Sequence, residues 1–175
     1  MKKIIKLIAI VLVIATVVLS TSSCGLLAAG LFDTILNDDS ESELSAEEEF
    51  YSLVGETKLL LDEVSSDINT YWYENLSEGK HGKDAEAAIE NAKSKNEENI
   101  SKIRENDERI IELYRTMKDD YSYMEYSATD VMNSYNAYLA ATLEVGNKTF
   151  EFYSSSTQNC MFSLSVSLKN YYIEL

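Results

Sequence analysis

The chain has 175 residues, 30 of them acidic and 15 Lys or Arg, for a formal net charge of −15 at neutral pH. Such a surface repels nucleic acid and anionic lipid headgroups, whose phosphates need clustered Lys and Arg, so nucleic acid is excluded as a partner. With one histidine and two cysteines, the composition supports neither a zinc site of Cys and His nor a di-iron bundle site, which needs two Glu-x-x-His motifs.

The N-terminus opens with Lys2, Lys3 and Lys6, followed by an apolar run from Leu7 to Leu19 broken only by Thr16, then by small polar residues up to Cys24. A positive n-region, a short apolar h-region and small residues before a cleavage point are the layout of a secretory signal peptide. The ending STSSC resembles the lipobox of bacterial membrane lipoproteins, with Thr21 standing where that family usually has an aliphatic residue. The resemblance implies a signal peptide over residues 1–23 and diacylglyceration of Cys24. It is confined to those residues and implies no fold for the rest of the chain. An uncleaved single-pass anchor reaching to about residue 32 is the other reading, because no charge occurs between Lys6 and Asp33 and such a stretch is long enough to span a bilayer. Both readings put the lysines inside and the remainder on the extracytoplasmic face of the cell membrane.

Loss of the three N-terminal lysines leaves 15 − 3 = 12 basic residues against 30 acidic ones, a charge of −18. With Cys24 acylated, Cys160 would stand alone and no intramolecular disulfide could form; its neighbours Met161, Phe162 and Leu164 suit a small buried hydrophobe. Residues 24–46 read as the anchor cysteine and an acidic tether, and 47–175 as one domain large enough for a core.

Within that domain the apolar spacing is helical throughout. Phe50, Leu53, Val54, Leu60, Leu61, Val64, Ile68, Tyr71 and Trp72 mark a first helix, opened by a Ser45-x-x-Glu48 capping box and closed by the loop at 77–82. Ile89, Asn96, Ile103, Ile110, Met117, Met124, Val131, Tyr138, Val145 and Phe152 then recur every seven residues, the period of helices wound about one another. Asn96, Asn99 and Asn106 lie along that seam, where polar side chains select register. Lys93/Glu97, Glu98/Lys102, Arg104/Glu108 and Glu105/Arg109 are spaced as i,i+4 ion pairs on the outer face. A single helix over 83–145 would be nearly 100 Å long, so a break is expected near Lys118–Tyr121, with Gly146-Asn147 ending the segment. The last segment reads both ways: Phe162, Leu164, Val166 and Leu168 alternate as in a strand, while Tyr153, Thr157, Met161, Leu164, Leu168 and Tyr171 keep helical spacing. Helix is favoured, since a lone strand has nothing to pair with. The expected fold is all-α, an antiparallel bundle of three or four long helices.

No catalytic constellation is visible, and no cofactor or metal site is expected. His81, in GKHGK, reads as an exposed turn. The unusual feature is twelve tyrosines. Rings at the edge of a core explain most of them, but tyrosine also supplies contact area at interfaces. Tyr71, Trp72 and Tyr73, and Tyr121, Tyr123 and Tyr126, are the candidate partner-binding aromatics. The functional expectation is a membrane-tethered helical binding or structural module acting through an envelope protein partner. The alternative is a small-ligand or sensory lipoprotein whose bundle encloses a cavity lined by Tyr, Met and Asn.

Overall fold

A computed structural model describes residues 44–119 and 123–175; the signal peptide or anchor, Cys24 and Tyr121 lie outside the described residues. Helix α1 (Ala46–Glu78) starts at the expected capping box: the Ser45 Oγ accepts from the Glu48 N–H at 3.2 Å, and the Ser45 N–H donates to Glu48 Oε2 at 2.9 Å. Glu47, Glu48 and Glu49 fill the first turn, where the helix dipole favours negative charge. Phe50, Val54, Thr57, Leu61, Val64, Ile68 and Trp72, three or four residues apart, turn one stripe into the core. Gly79, in the left-handed region at φ 67°, ends the helix by donating to the Asn75 carbonyl at 3.0 Å.

Helix α2 (Ala85–Lys95) is capped by Asp84, whose Oδ1 accepts from the Ala87 N–H at 2.9 Å. Helix α3 (Glu97–Asp119) follows with only Asn96 between them. The buried Asn96 side chain donates to Asp67 Oδ2 on α1 at 2.8 Å and back to the Ala92 carbonyl at 3.0 Å. A polar seam residue thus marks the joint and ties it to the neighbouring helix. Helices α4 (Glu125–Leu143) and α5 (Phe150–Glu174) complete the fold, α5 being capped by Thr149, whose Oγ1 accepts from the Phe152 N–H at 3.3 Å.

The described residues are all-α, as expected, with five helices in four antiparallel arms: α1, α2–α3, α4 and α5. Arg109 reaches Glu49, Asn106 reaches Thr57 and Asn96 reaches Asp67, so numbering falls along one arm as it rises along the other. Helices α1 and α3 pack as one hairpin and α4 and α5 as the other, and the apolar faces of the two meet in the core. Helix α3 ends at Asp119, inside the window expected for a break. The last segment is the helix α5 rather than a strand: Leu164 and Leu168 are buried, while Phe162 and Val166 face outward.

The seven-residue series from Ile89 to Val145 is buried at every position across three helices. Phe152, its expected continuation, is exposed. Gly146 takes φ 54°, the chain reverses, and the phase of the pattern restarts with Tyr153, Thr157, Leu164, Leu168 and Tyr171. The expected i,i+4 ion pairs are replaced by i,i+3 pairs, Lys93–Glu90, Lys102–Glu105 and Arg109–Glu112. Both spacings bring side chains together on a helix, and Arg109 is drawn toward a partner on α1, which leaves Glu105 to Lys102.

Candidate functional site

The bundle has two poles, and the candidate aromatics divide between them. At one pole the α1–α2 loop folds back on the end of α1. Asn75 Nδ2 donates to the carbonyls of Lys80 at 2.7 Å and Gly82 at 2.9 Å, and Asn91 Nδ2 donates to the His81 carbonyl at 2.6 Å. His81 is thereby held at φ 64°, a left-handed conformation that costs a non-glycine residue about 1–2 kcal/mol. Its ring stacks on Tyr71, with centroids 3.9 Å apart and planes 19° from parallel, and its Nε2 meets Oε2 of Glu74. Lys95 sits 5.7 Å from the centroid of the Tyr71 ring and pairs with Asp67 at 2.9 Å. The Glu74 carboxyl is held below its ordinary value, chiefly by the bond from His81, against a smaller opposing effect of burial, with the charges of Lys80 and His81 adding to the lowering. His81 is therefore a half-buried, partnered ring and not the free turn residue that GKHGK suggested. The partners that hold it, Glu74, Asn75 and Asn91, are up to ten residues away, and no short motif announces them.

Trp72 does not join a surface cluster with its neighbours. It is buried, and its indole packs against Phe150 at 5.8 Å and Tyr153 at 5.9 Å. Tyr73 lies on the next face of α1, part-exposed, with its ring 6.0 Å from Phe150. Consecutive residues on a helix point about 100° apart, so Tyr71, Trp72 and Tyr73 serve three different surroundings: the loop, the core and the rim.

At the opposite pole the first turn of α1 meets the last turns of α3 and α5. The Tyr171 hydroxyl donates to the Glu47 carbonyl at 3.1 Å and lies 3.5 Å from Met117 Sδ, and Tyr51 stacks against Tyr171 and packs at a tilt against Tyr172. Tyr123 and Tyr126, where the chain enters α4, are 73% and 87% exposed. Of the candidate aromatics among the described residues these present the most free surface, with Ile173 and Tyr172 also exposed at that pole.

The remaining tyrosines build the interior. Tyr135 donates to Asp107 Oδ1 at 3.0 Å, Tyr138 to Asp62 Oδ1 at 2.7 Å, and Tyr153 to the Thr142 carbonyl at 3.2 Å. With Tyr171 these four rings are wholly buried, and burial first, then nearby carboxylates at Tyr135 and Tyr138, pushes their hydroxyl pKa values far above the ordinary tyrosine range. Cys160 is a free thiol packed at the edge of the core. Among the described residues no group of three or more His, Cys, Asp and Glu is placed to hold a metal, and no helix is long and apolar enough to cross a membrane. An open groove runs beside the α4–α5 turn, lined by Lys93, Val145, Lys148 and Phe152.

The chain matches no protein-family model, no curated protein and no solved structure.

Proposed function

We propose that the protein is a membrane-tethered, extracytoplasmic helical module that acts through protein contacts in the cell envelope. The observation that carries this reading is the exposure of Tyr123 and Tyr126 at one pole, since large rings left in water favour burial against a partner. The first turn of α1 lies at that pole too, where the Glu47 carbonyl accepts from Tyr171. The tyrosines and asparagines that a ligand cavity would use as lining are packed and bonded to one another's helices instead, which favours a contact role over an internal pocket. The membrane address rests on Lys2, Lys3, Lys6 and the STSSC ending.

The test is site-specific photocrosslinking in cells, with the probe at Tyr126 and, as a control, at Glu108 on the exposed face of α3. The expected result is a defined protein adduct from position 126, absent from 108, in the membrane fraction, and lost from that fraction in Cys24→Ser. Adducts of equal yield from both positions would overturn the contact surface; an unaltered membrane fraction for Cys24→Ser would overturn the lipid tether.

A further inference from the structure

The flank formed by α5 differs from the rest of this acidic molecule. From Phe152 to Leu168 there are seventeen consecutive residues without a charged side chain, although the chain as a whole is 26% charged. Along the outward face, Phe162 and Ile173 are 68% and 71% exposed, with Val166 between them. Steps of four and seven residues keep all three on one stripe of the helix. The inner residues Tyr153, Leu164, Leu168 and Tyr171 are already committed to the core, so no described residue covers the stripe.

The two charges that bound the neutral stretch are Glu151 and Lys169, both exposed. They are eighteen residues apart, which at 3.6 residues per turn is five full turns. Glu151 and Lys169 therefore lie on the same face as each other, and that face contains Phe162. Neither forms an ion pair with a described residue. A helix face with a negative end, an apolar middle and a positive end is complementary to itself when turned end for end.

We propose that the outer face of α5 pairs with the same face of a second copy, the two helices antiparallel about a two-fold axis level with Cys160, the midpoint between Glu151 and Lys169. In that arrangement Glu151 of each copy lies opposite Lys169 of the other, and each Phe162 packs beside the two-fold against the opposite helix. Closed two-fold pairing is the commonest form of self-association and uses one patch twice. Charge argues for a second copy as the occupant. Two chains of net charge −15 repel wherever their acidic faces meet, and the neutral flank is where they approach with least opposition. A cationic partner would choose the acidic faces instead, and a lipid surface would find only Lys169 to hold its headgroups. This surface lies on the side of the bundle and does not depend on the polar aromatics Tyr123 and Tyr126.

A single helix pair covers less than the roughly 800 Å² per partner of a standard interface, so the dimer is weak, with a dissociation constant on the order of 10–100 μM. The test is sedimentation equilibrium of the full chain in non-ionic detergent, for the wild type, Glu151→Lys, Lys169→Glu, the double charge swap and Phe162→Ser, with circular dichroism confirming that each remains helical. The expected result is a concentration-dependent monomer–dimer equilibrium. Each single swap should weaken it about tenfold, because both symmetry-related pairs become repulsive, and Phe162→Ser should weaken it further. The double swap should restore wild-type association. A mass that does not vary with concentration, single swaps without effect, or a double swap that behaves as the worse single one would each overturn the proposal.

Discussion

The Tyr138 hydroxyl on α4 donates a 2.7 Å hydrogen bond to Oδ1 of Asp62 on α1, across 76 residues of sequence, and lies 3.2 Å from the hydroxyl of Ser65. Lys58 holds the other oxygen of Asp62, also at 2.7 Å. Helix α4 is thus tied to α1 by a buried ring whose polar end reaches a carboxylate at the edge of the core. Tyr138→Phe keeps the packing and removes the bond. A hydrogen bond to a charged group contributes about 1.5–3 kcal/mol, and Asp62 retains Lys58 and some solvent, so the loss should be about 1.5 kcal/mol, or a melting temperature lower by about 5 °C. A shift under about 1 °C in a thermal melt would show that the bond contributes little.

High pH should unfold the protein cooperatively. The hydroxyls of Tyr135, Tyr138, Tyr153 and Tyr171 have folded pKa values raised far above the ordinary value near 10. Their stabilising contribution is complete below the unfolded pKa and is lost as pH rises beyond it, because only the unfolded chain can release those protons. Four such groups give a slope of up to about 5 kcal/mol per pH unit above pH 10. Tyrosinate absorbance from these rings should rise together with the loss of helical ellipticity. Ionisation of all twelve tyrosines with the helices intact would contradict the buried assignment.

Low pH should act through Glu49. Arg109 binds it in fork geometry, Nε to Oε1 and Nη2 to Oε2, both at 2.8 Å. That hydrogen bonding, opposed by some burial and reinforced by the guanidinium charge, holds the Glu49 carboxyl below its ordinary value. A lowered folded pKa contributes stability above the unfolded value near 4.5, and this is lost as pH falls through the folded one. Glu49→Gln should therefore destabilise by under about 1 kcal/mol at neutral pH, solvent screening keeping the figure small. The difference from wild type should narrow below about pH 4.5 and vanish in strong acid. Urea titrations at several pH values measure it, and a difference that grows in acid would reverse the sign argued here.

Two glycines in the α1–α2 loop should respond unequally to alanine. At Gly79 a Cβ would meet nothing within 4 Å, so only the left-handed backbone, φ 67°, is strained; the expected loss is about 1 kcal/mol. At Gly82, with φ 151°, a Cβ would lie 2.6 Å from the Ala87 Cβ and 3.0 Å from the backbone of Ala87 and Ala88. The first turn of α2 would have to move, and the expected loss is about 2–3 kcal/mol. Equal losses in chemical denaturation would mean that the loop yields more readily than its hydrogen bonds imply.

Helix existence and phase were legible because they are local. The capping box at Ser45, the stripe on α1 and the seven-residue series to Val145 are each set by neighbours within a turn or two, and a buried stripe repeats at the helical period wherever it packs. The polar seam residues were legible too, in that Asn96 and Asn106 do reach across to Asp67 and Thr57. The pattern was misleading where the chain turns. Phe152 continues the arithmetic but comes after the reversal at Gly146, where the phase that survives the α3–α4 turn at the buried Met124 is lost. Ion pairs escaped for a related reason: two spacings are open to every charged residue on a helix, and Arg109 is settled by Glu49, sixty positions away.

For this protein the sequence by itself determined the helical class, the break near Lys118–Tyr121 and the acidic surface, all of which come from composition and short-range periodicity; the break at Asn96 was not among them. Only the tertiary structure decided what each aromatic does. Tyr138, Tyr153 and Tyr171 fall on the apolar spacing read from the sequence, but no local feature separates Tyr135 from Tyr123 and Tyr126 or names the acceptor of any of the four buried hydroxyls. The four are core residues because a second helix supplies an apolar wall and an acceptor for the hydroxyl, whereas at positions 123 and 126 no described helix lies over the ring. Burial of a polar-tipped ring depends on a partner distant in sequence, and that partner exists only once the arms of the bundle have packed.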